Sequence, residues 1–185
     1  LGMLVRTFTS RDVSLWKTLY VSLVRPHLEF ASSVWNPYLK GDIKMIEKVQ
    51  RRATKIPSQM RDLPYDMRLS MWGLTALDDR RVRGDLIQMF KFTNGYEFID
   101  WYTGPQLAPS SQTRAASSNN QRLVRESFSA KASNDHGHFV STRHNFFLNR
   151  VAGSWNGLNN FQIHAPSLNS FKARVDSTPV KAAIA

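Results

Sequence analysis

Five cations fall inside one short run, "DIKMIEKVQRRATKI" (42–56): Lys44, Lys48, Arg51, Arg52 and Lys55. Turned by roughly 100° per residue, they share an arc of about 100° on a helix. Ile46, Val49, Ala53 and Ile56 fall on the opposite side with Ile43 at its edge, and only Glu47 lies near the cations. Lys44–Lys48, Lys48–Arg52 and Arg51–Lys55 are four residues apart, a spacing at which like charges destabilise a helix. An ordinary solvated face mixes its signs. The chemistry this pattern supports is a grip on a polyanion, in which lysine and arginine neutralise phosphates and release condensed counterions. Five such contacts predict a log–log salt slope of about −4.5. On pattern alone three readings stay open: a solvated face, a nucleic-acid surface, and a surface for a membrane or an acidic protein.

Fewer signals appear elsewhere. Arg80, Arg81 and Arg83 form a second candidate phosphate patch, interspersed with Asp78, Asp79 and Asp85. Arg143 and Arg150 flank Phe146-Phe147, seven residues apart on one side of a helix, and make a third. His136-Gly137-His138 lacks further ligands at metal-binding spacing and reads as a polar loop, so no metal site is expected. His27 reads as a hydrogen-bonded structural histidine. Trp35 and Trp155 each precede an asparagine; either could stack on a base, but core anchoring at a helix end is the plainer reading. Ser-His-Asp spacing, glycine-rich phosphate loops and paired carboxylates are not recognisable. With no cysteine in the chain, disulfides and thiolate chemistry are excluded. No catalytic residue and no cofactor are expected.

The totals agree with a binding role. The chain has 185 residues, a formal charge of +11 and 42% hydrophobic residues, enough for one ordinary domain or two small ones with a buried core. Such a basic excess points to anionic partners rather than to a fold. Of it, residues 40–61 alone hold seven basic and two acidic side chains. No apolar run approaches membrane-spanning length, and the cysteine-free composition fits an intracellular, nuclear or cytoplasmic setting. The opening "LGMLVRTFTSRD" has neither an initiator Met nor a signal-peptide core, which leads us to expect a fragment of a longer chain.

Periodicity predicts the elements that position these residues. Ser10 is the expected N-cap of a helix carrying Val13, Trp16, Leu19, Tyr20, Leu23 and Val24 and closed by Pro26; the basic run is the second helix. A short third helix has Pro64 near its start and Gly73 at its C-cap. A fourth is capped by Thr75, has Asp78 and Asp79 in its first turn, and ends at Asn94-Gly95. A Pro/Ser/Asn-rich stretch follows. Beyond it, Phe146, Phe147, Val151 and Trp155 line one side of a helix, and Pro166-Ser167 opens a final short one. The fold expected is mainly α: a helical bundle over 1–95, a flexible linker over 96–141, and a small C-terminal helical unit over 142–185.

In order along the chain stand "LGMLVRTF", "LYVSLVRPHLEFASSVWNPY", "IEKVQRRATK", "LPYDMRLSMWGLTALDDRRVRGDLIQMFKFTNG", "RHNFFLNRVAGSWNGL" and "SLNSFKAR". Together these motifs resemble the C-terminal part of reverse transcriptases of non-LTR (LINE-type, jockey-like) retrotransposons, over about residues 1–95 and 142–176. The resemblance lapses at "SWNGLNN", which lacks the family's proline after Leu158. It implies a polymerase thumb and the region after it, with the palm and its magnesium-holding aspartates upstream of Leu1. It further implies that Lys44, Lys48, Arg51, Arg52 and Lys55 hold the backbone of a template–primer duplex, RNA–DNA or DNA, without reading sequence, and that this segment alone does not polymerise. A helical protein-interaction module, or a decayed transposon fragment, is the alternative.

Overall fold

The structure is a computed structural model and describes residues 1–101, 104–109, 118–126 and 145–177. These residues are mainly helical, with one isolated antiparallel bridge between Leu107 and Leu123. Packing divides the chain into two units, Leu1–Arg81 and Val82–Ala185. The division falls inside a helix rather than after Gly95.

In the first unit, α1 (Gly2–Thr7) and α2 (Val13–Leu19) are joined by a short turn. Asp12, not Ser10, caps α2: its carboxylate accepts the Leu15 N–H at 2.9 Å and the Ser14 hydroxyl at 2.5 Å. Ser10 instead offers its carbonyl to the Trp16 indole at 2.8 Å, which fixes that buried ring. Nor does Pro26 close the helix. The chain widens into a π-helical turn, Tyr20–Val24, and continues as α3 (Arg25–Glu29). The Arg25 N–H reaches back five residues to the Tyr20 carbonyl, and Pro26 thereby occupies a new first turn, where a missing N–H costs little. Next come α4 (Ser32–Trp35), α5 (Lys40–Ala53) and α6 (Tyr65–Trp72). Gly73 ends α6 with φ at +60°, a conformation that suits glycine, and the Leu74 N–H closes the end onto the Leu69 carbonyl at 2.9 Å. Leu4, Trp16, Leu19, Tyr20, Val24, Ala53, Met60 and Trp72 form the core.

Helix α7 (Leu77–Thr93) crosses the division between units and ends at Asn94-Gly95. In the second unit its residues Leu86, Met89 and Phe90 share a core with those of α8 (Phe147–Asn156), α9 (Asn160–Ile163) and α10 (Leu168–Asp176). Phe90 stacks on Phe171 at 4.2 Å between centroids. Phe147, Val151 and Trp155 are buried at helical spacing, whereas Phe146, expected to share their face, takes the N-cap position and is exposed. Ser167 opens α10 by accepting the Ser170 N–H.

Part of the stretch expected to be a linker belongs to this core. Leu123 and Asn119 are buried, and α8 holds their segment by its side chains. Asn156 donates to the Leu123 carbonyl at 2.9 Å and accepts its N–H at 2.7 Å. Asn149 accepts the Glu126 N–H at 3.1 Å, and the Trp155 indole donates to the Gln121 carbonyl at 2.8 Å. The tryptophan–asparagine pair in "SWNG" is thus structural: the ring anchors the core and the amide pairs with backbone.

Candidate nucleic-acid interface

Helix α5 carries four of the five expected contacts. Lys44, Lys48, Arg51 and Arg52 are on it and exposed; Lys55, also exposed, lies just past the helix end, in the turn after Thr54. No described carboxylate pairs with any of the five. The row of cations faces solvent, with no ion-pair neutralisation among the described residues.

The side of α5 turned to the core differs from the expectation. Glu47, Gln50, Ala53 and Thr54 are buried there, while Ile46, Val49 and Ile56 are only half-buried. Glu47 therefore forms no ion pair with the cations. One carboxylate oxygen accepts the Leu77 N–H at 3.0 Å, serving as an N-terminal cap for α7 supplied from another helix; the other accepts the Tyr65 hydroxyl. Gln50 accepts the Tyr20 hydroxyl at 2.7 Å and donates to the Tyr65 oxygen at 2.9 Å and the Thr75 carbonyl at 3.1 Å. Burial pushes both phenols above their ordinary pKa, and the adjacent Glu47 adds to the shift at Tyr65. Each stays a neutral donor. These bonds fix the helix's rotation, and rotation decides which residues face water.

Two guanidinium groups meet the Tyr65 ring. Arg51 lies 4.0 Å from its centroid and Arg68 5.4 Å. Arg68 is buried, donates to the Arg51 carbonyl at 3.3 Å, and has no partner for its Nε among the described residues. Its pKa is lowered, chiefly by burial, with a smaller push from Arg51.

The other candidate arginines are otherwise engaged. Arg80 pairs with Glu29 through two nitrogens, one at 3.0 Å. Arg81 is 1% exposed, with Asp78 at 3.4 Å. Arg83 makes a two-pronged pair with Asp176 at 2.5 and 2.8 Å, and Arg150 does the same with buried Asp85 at 2.7 and 3.0 Å. Such forked pairs satisfy the guanidinium in the geometry a phosphate would need. Arg143 and His136-Gly137-His138 lie outside the described residues.

Four residues of the site escaped the sequence reading: Tyr65, Arg68, Glu47 in its capping role, and Gln50. Glu47, Gln50 and Thr54 recur at spacings of three and four, a polar stripe within the helix's inner side. That stripe was the available signal. Among the described residues no helix is long and apolar enough to cross a membrane, and no group of three or more acidic or histidine side chains is arranged to hold a metal ion. No protein-family model matches the sequence, and no match was found among curated proteins or solved structures.

Proposed function

We propose that this chain binds the backbone of a nucleic-acid duplex, RNA–DNA or DNA, without sequence preference, through the outer face of α5. We infer further that it does so as the thumb and C-terminal part of a retrotransposon RNA-directed DNA polymerase inside the cell. On this reading the carboxylates that hold magnesium belong to an upstream palm, and the present segment grips the duplex rather than extending it. The observation that carries the binding role is the contrast in charge. The α5 cations face water with no described carboxylate partner, whereas Arg80, Arg81, Arg83 and Arg150 are each matched to an acid. An unneutralised basic face takes up phosphates and discharges counterions, a favourable term whatever the base sequence.

Titration of the chain against a labelled RNA–DNA hybrid, followed by fluorescence anisotropy, tests the proposal. Binding should fall with salt at a log–log slope of about −4.5, about 0.9 per phosphate contact. The triple variant K48E/R51E/R52E should lose at least about 100-fold in affinity at low salt, because three attractions become repulsions. Absence of binding by the unaltered chain at 50 mM salt, or an unchanged triple variant, overturns the proposal.

A further inference from the structure

We propose that Arg51 is the anchored contact of the basic face, that Tyr65 is the residue that positions it, and that Lys44, Lys48, Arg52 and Lys55 add unanchored charge. The inference rests on the duplex-binding reading and sharpens it: one cation of the five takes a phosphate in a fixed pose.

The geometry comes from a chain of contacts that ends on Arg51. Glu47 and Gln50 hold the Tyr65 hydroxyl from two sides, and both are themselves fixed, Glu47 by the Leu77 N–H and Gln50 by Tyr20 and the Thr75 carbonyl. The Tyr65 ring is therefore pinned at its far end. The Arg51 guanidinium lies over that ring at 4.0 Å, and its backbone carbonyl accepts from Arg68 and, at 3.1 Å, from the Thr54 hydroxyl. Among the described residues none of the other four cations has a side-chain contact of this kind. A planar guanidinium laid on an aromatic face keeps its edge N–H groups free for an anion and gives up less freedom on binding than a solvated lysine. Behind it stands buried Arg68, with no carboxylate partner among the described residues. That uncompensated positive charge favours an anion arriving at Arg51.

Charge-conserving substitutions separate an anchored contact from a diffuse one. Against an RNA–DNA hybrid at 100 mM salt, R51K should weaken binding by about 5- to 10-fold and R52K by less than about 2-fold, because lysine cannot replace a stacked planar fork. The salt slope should be the same in both, since the charge is. Y65L should reproduce the R51K loss, and R51K/Y65L should be no weaker than either single variant, as expected for residues acting through one contact. Y65F, keeping the ring but losing the hydroxyl tether, should fall between Y65L and the unaltered chain. Equal losses in R51K and R52K, or multiplying losses in the double variant, overturn the inference while leaving duplex binding intact. No binding by the unaltered chain overturns both. Arg51 is exposed, so the comparison of R51K with R52K decides even where Y65L fails to fold.

Discussion

Helices α5 and α8 treat charge in opposite ways. Helix α8 carries one arginine, and Arg150 is clamped on Asp85, a carboxylate whose side chain is 4% exposed. Its buried side is otherwise Phe147, Val151, Ala152 and Trp155 beside two polar residues, Asn149 and Ser154. Helix α5 turns its cations to water and buries Glu47, Gln50 and Ala53. In α8 the charge belongs to the architecture, and in α5 the architecture exists beneath the charge. Counting basic residues cannot separate these cases, because the acids that neutralise Arg80, Arg83 and Arg150 sit 51, 93 and 65 positions away in sequence.

Four measurements break or sharpen the contrast. The largest effect belongs to the clamped arginine. R150M should destabilise the chain by about 3 kcal/mol in denaturant titration, since it removes the two-pronged partner of buried Asp85, while K48M on α5 should stay within about 0.5 kcal/mol. D85N/R150M should recover much of the loss; equal costs for R150M and K48M would erase the distinction. Next is Q50A, expected to cost about 2 kcal/mol because it leaves the buried Tyr20 hydroxyl, the half-buried Tyr65 hydroxyl and the Thr75 carbonyl short of a partner. A negligible cost would mean that the polar stripe does not hold α5.

A smaller effect has the opposite sign. K48E should raise stability by about 0.5 kcal/mol, turning the Lys44–Lys48 and Lys48–Arg52 repulsions into attractions, and at the same time weaken duplex binding. A variant that gains stability and loses affinity is what a face kept for a partner predicts. The smallest effect is at Asp12. Its carboxyl is held below the usual 3.8, first by the Ser14 hydroxyl and then by the Leu15 N–H. A carboxyl with a depressed folded-state pKa stabilises the fold above its unfolded value, and that stabilisation is lost as pH falls through the folded one. Protection factors of the α2 amides, corrected for intrinsic exchange, should therefore fall as pH drops below about 4, and D12N, which still caps the helix, should flatten the change. Identical acid profiles for the two proteins would remove Asp12 from the account.

How much of this was legible depended on how local each cause is. The C-cap at Gly73, the Asn94-Gly95 stop, the Ser167 cap and the Phe147–Val151–Trp155 line all follow from residues within a few positions of one another. The basic arc of α5 was legible for the same reason. What was missed is tertiary. That Glu47 caps α7 could not follow from its place near the cations, since the N–H it accepts is 30 residues away. Pro26 read as a stop because a π turn cannot be inferred from side-chain spacing. Residues 119–126 read as linker because their ordering comes from asparagines on a distant helix rather than from their own periodicity.

Those asparagines have a consequence of their own. Asn149 meets Glu126, and Asn156, two helical turns later, meets Leu123. Seven residues of α-helix rise about 10.5 Å, and three residues of extended chain span about 10 Å. Helix and segment run past each other in opposite directions like the two scales of a vernier, matched at both marks. Between the marks stand Val124 and Arg125, and the register fixes their number at two. Deleting either residue would put one asparagine out of register, so drift in this stretch should proceed by replacement and not by insertion or loss.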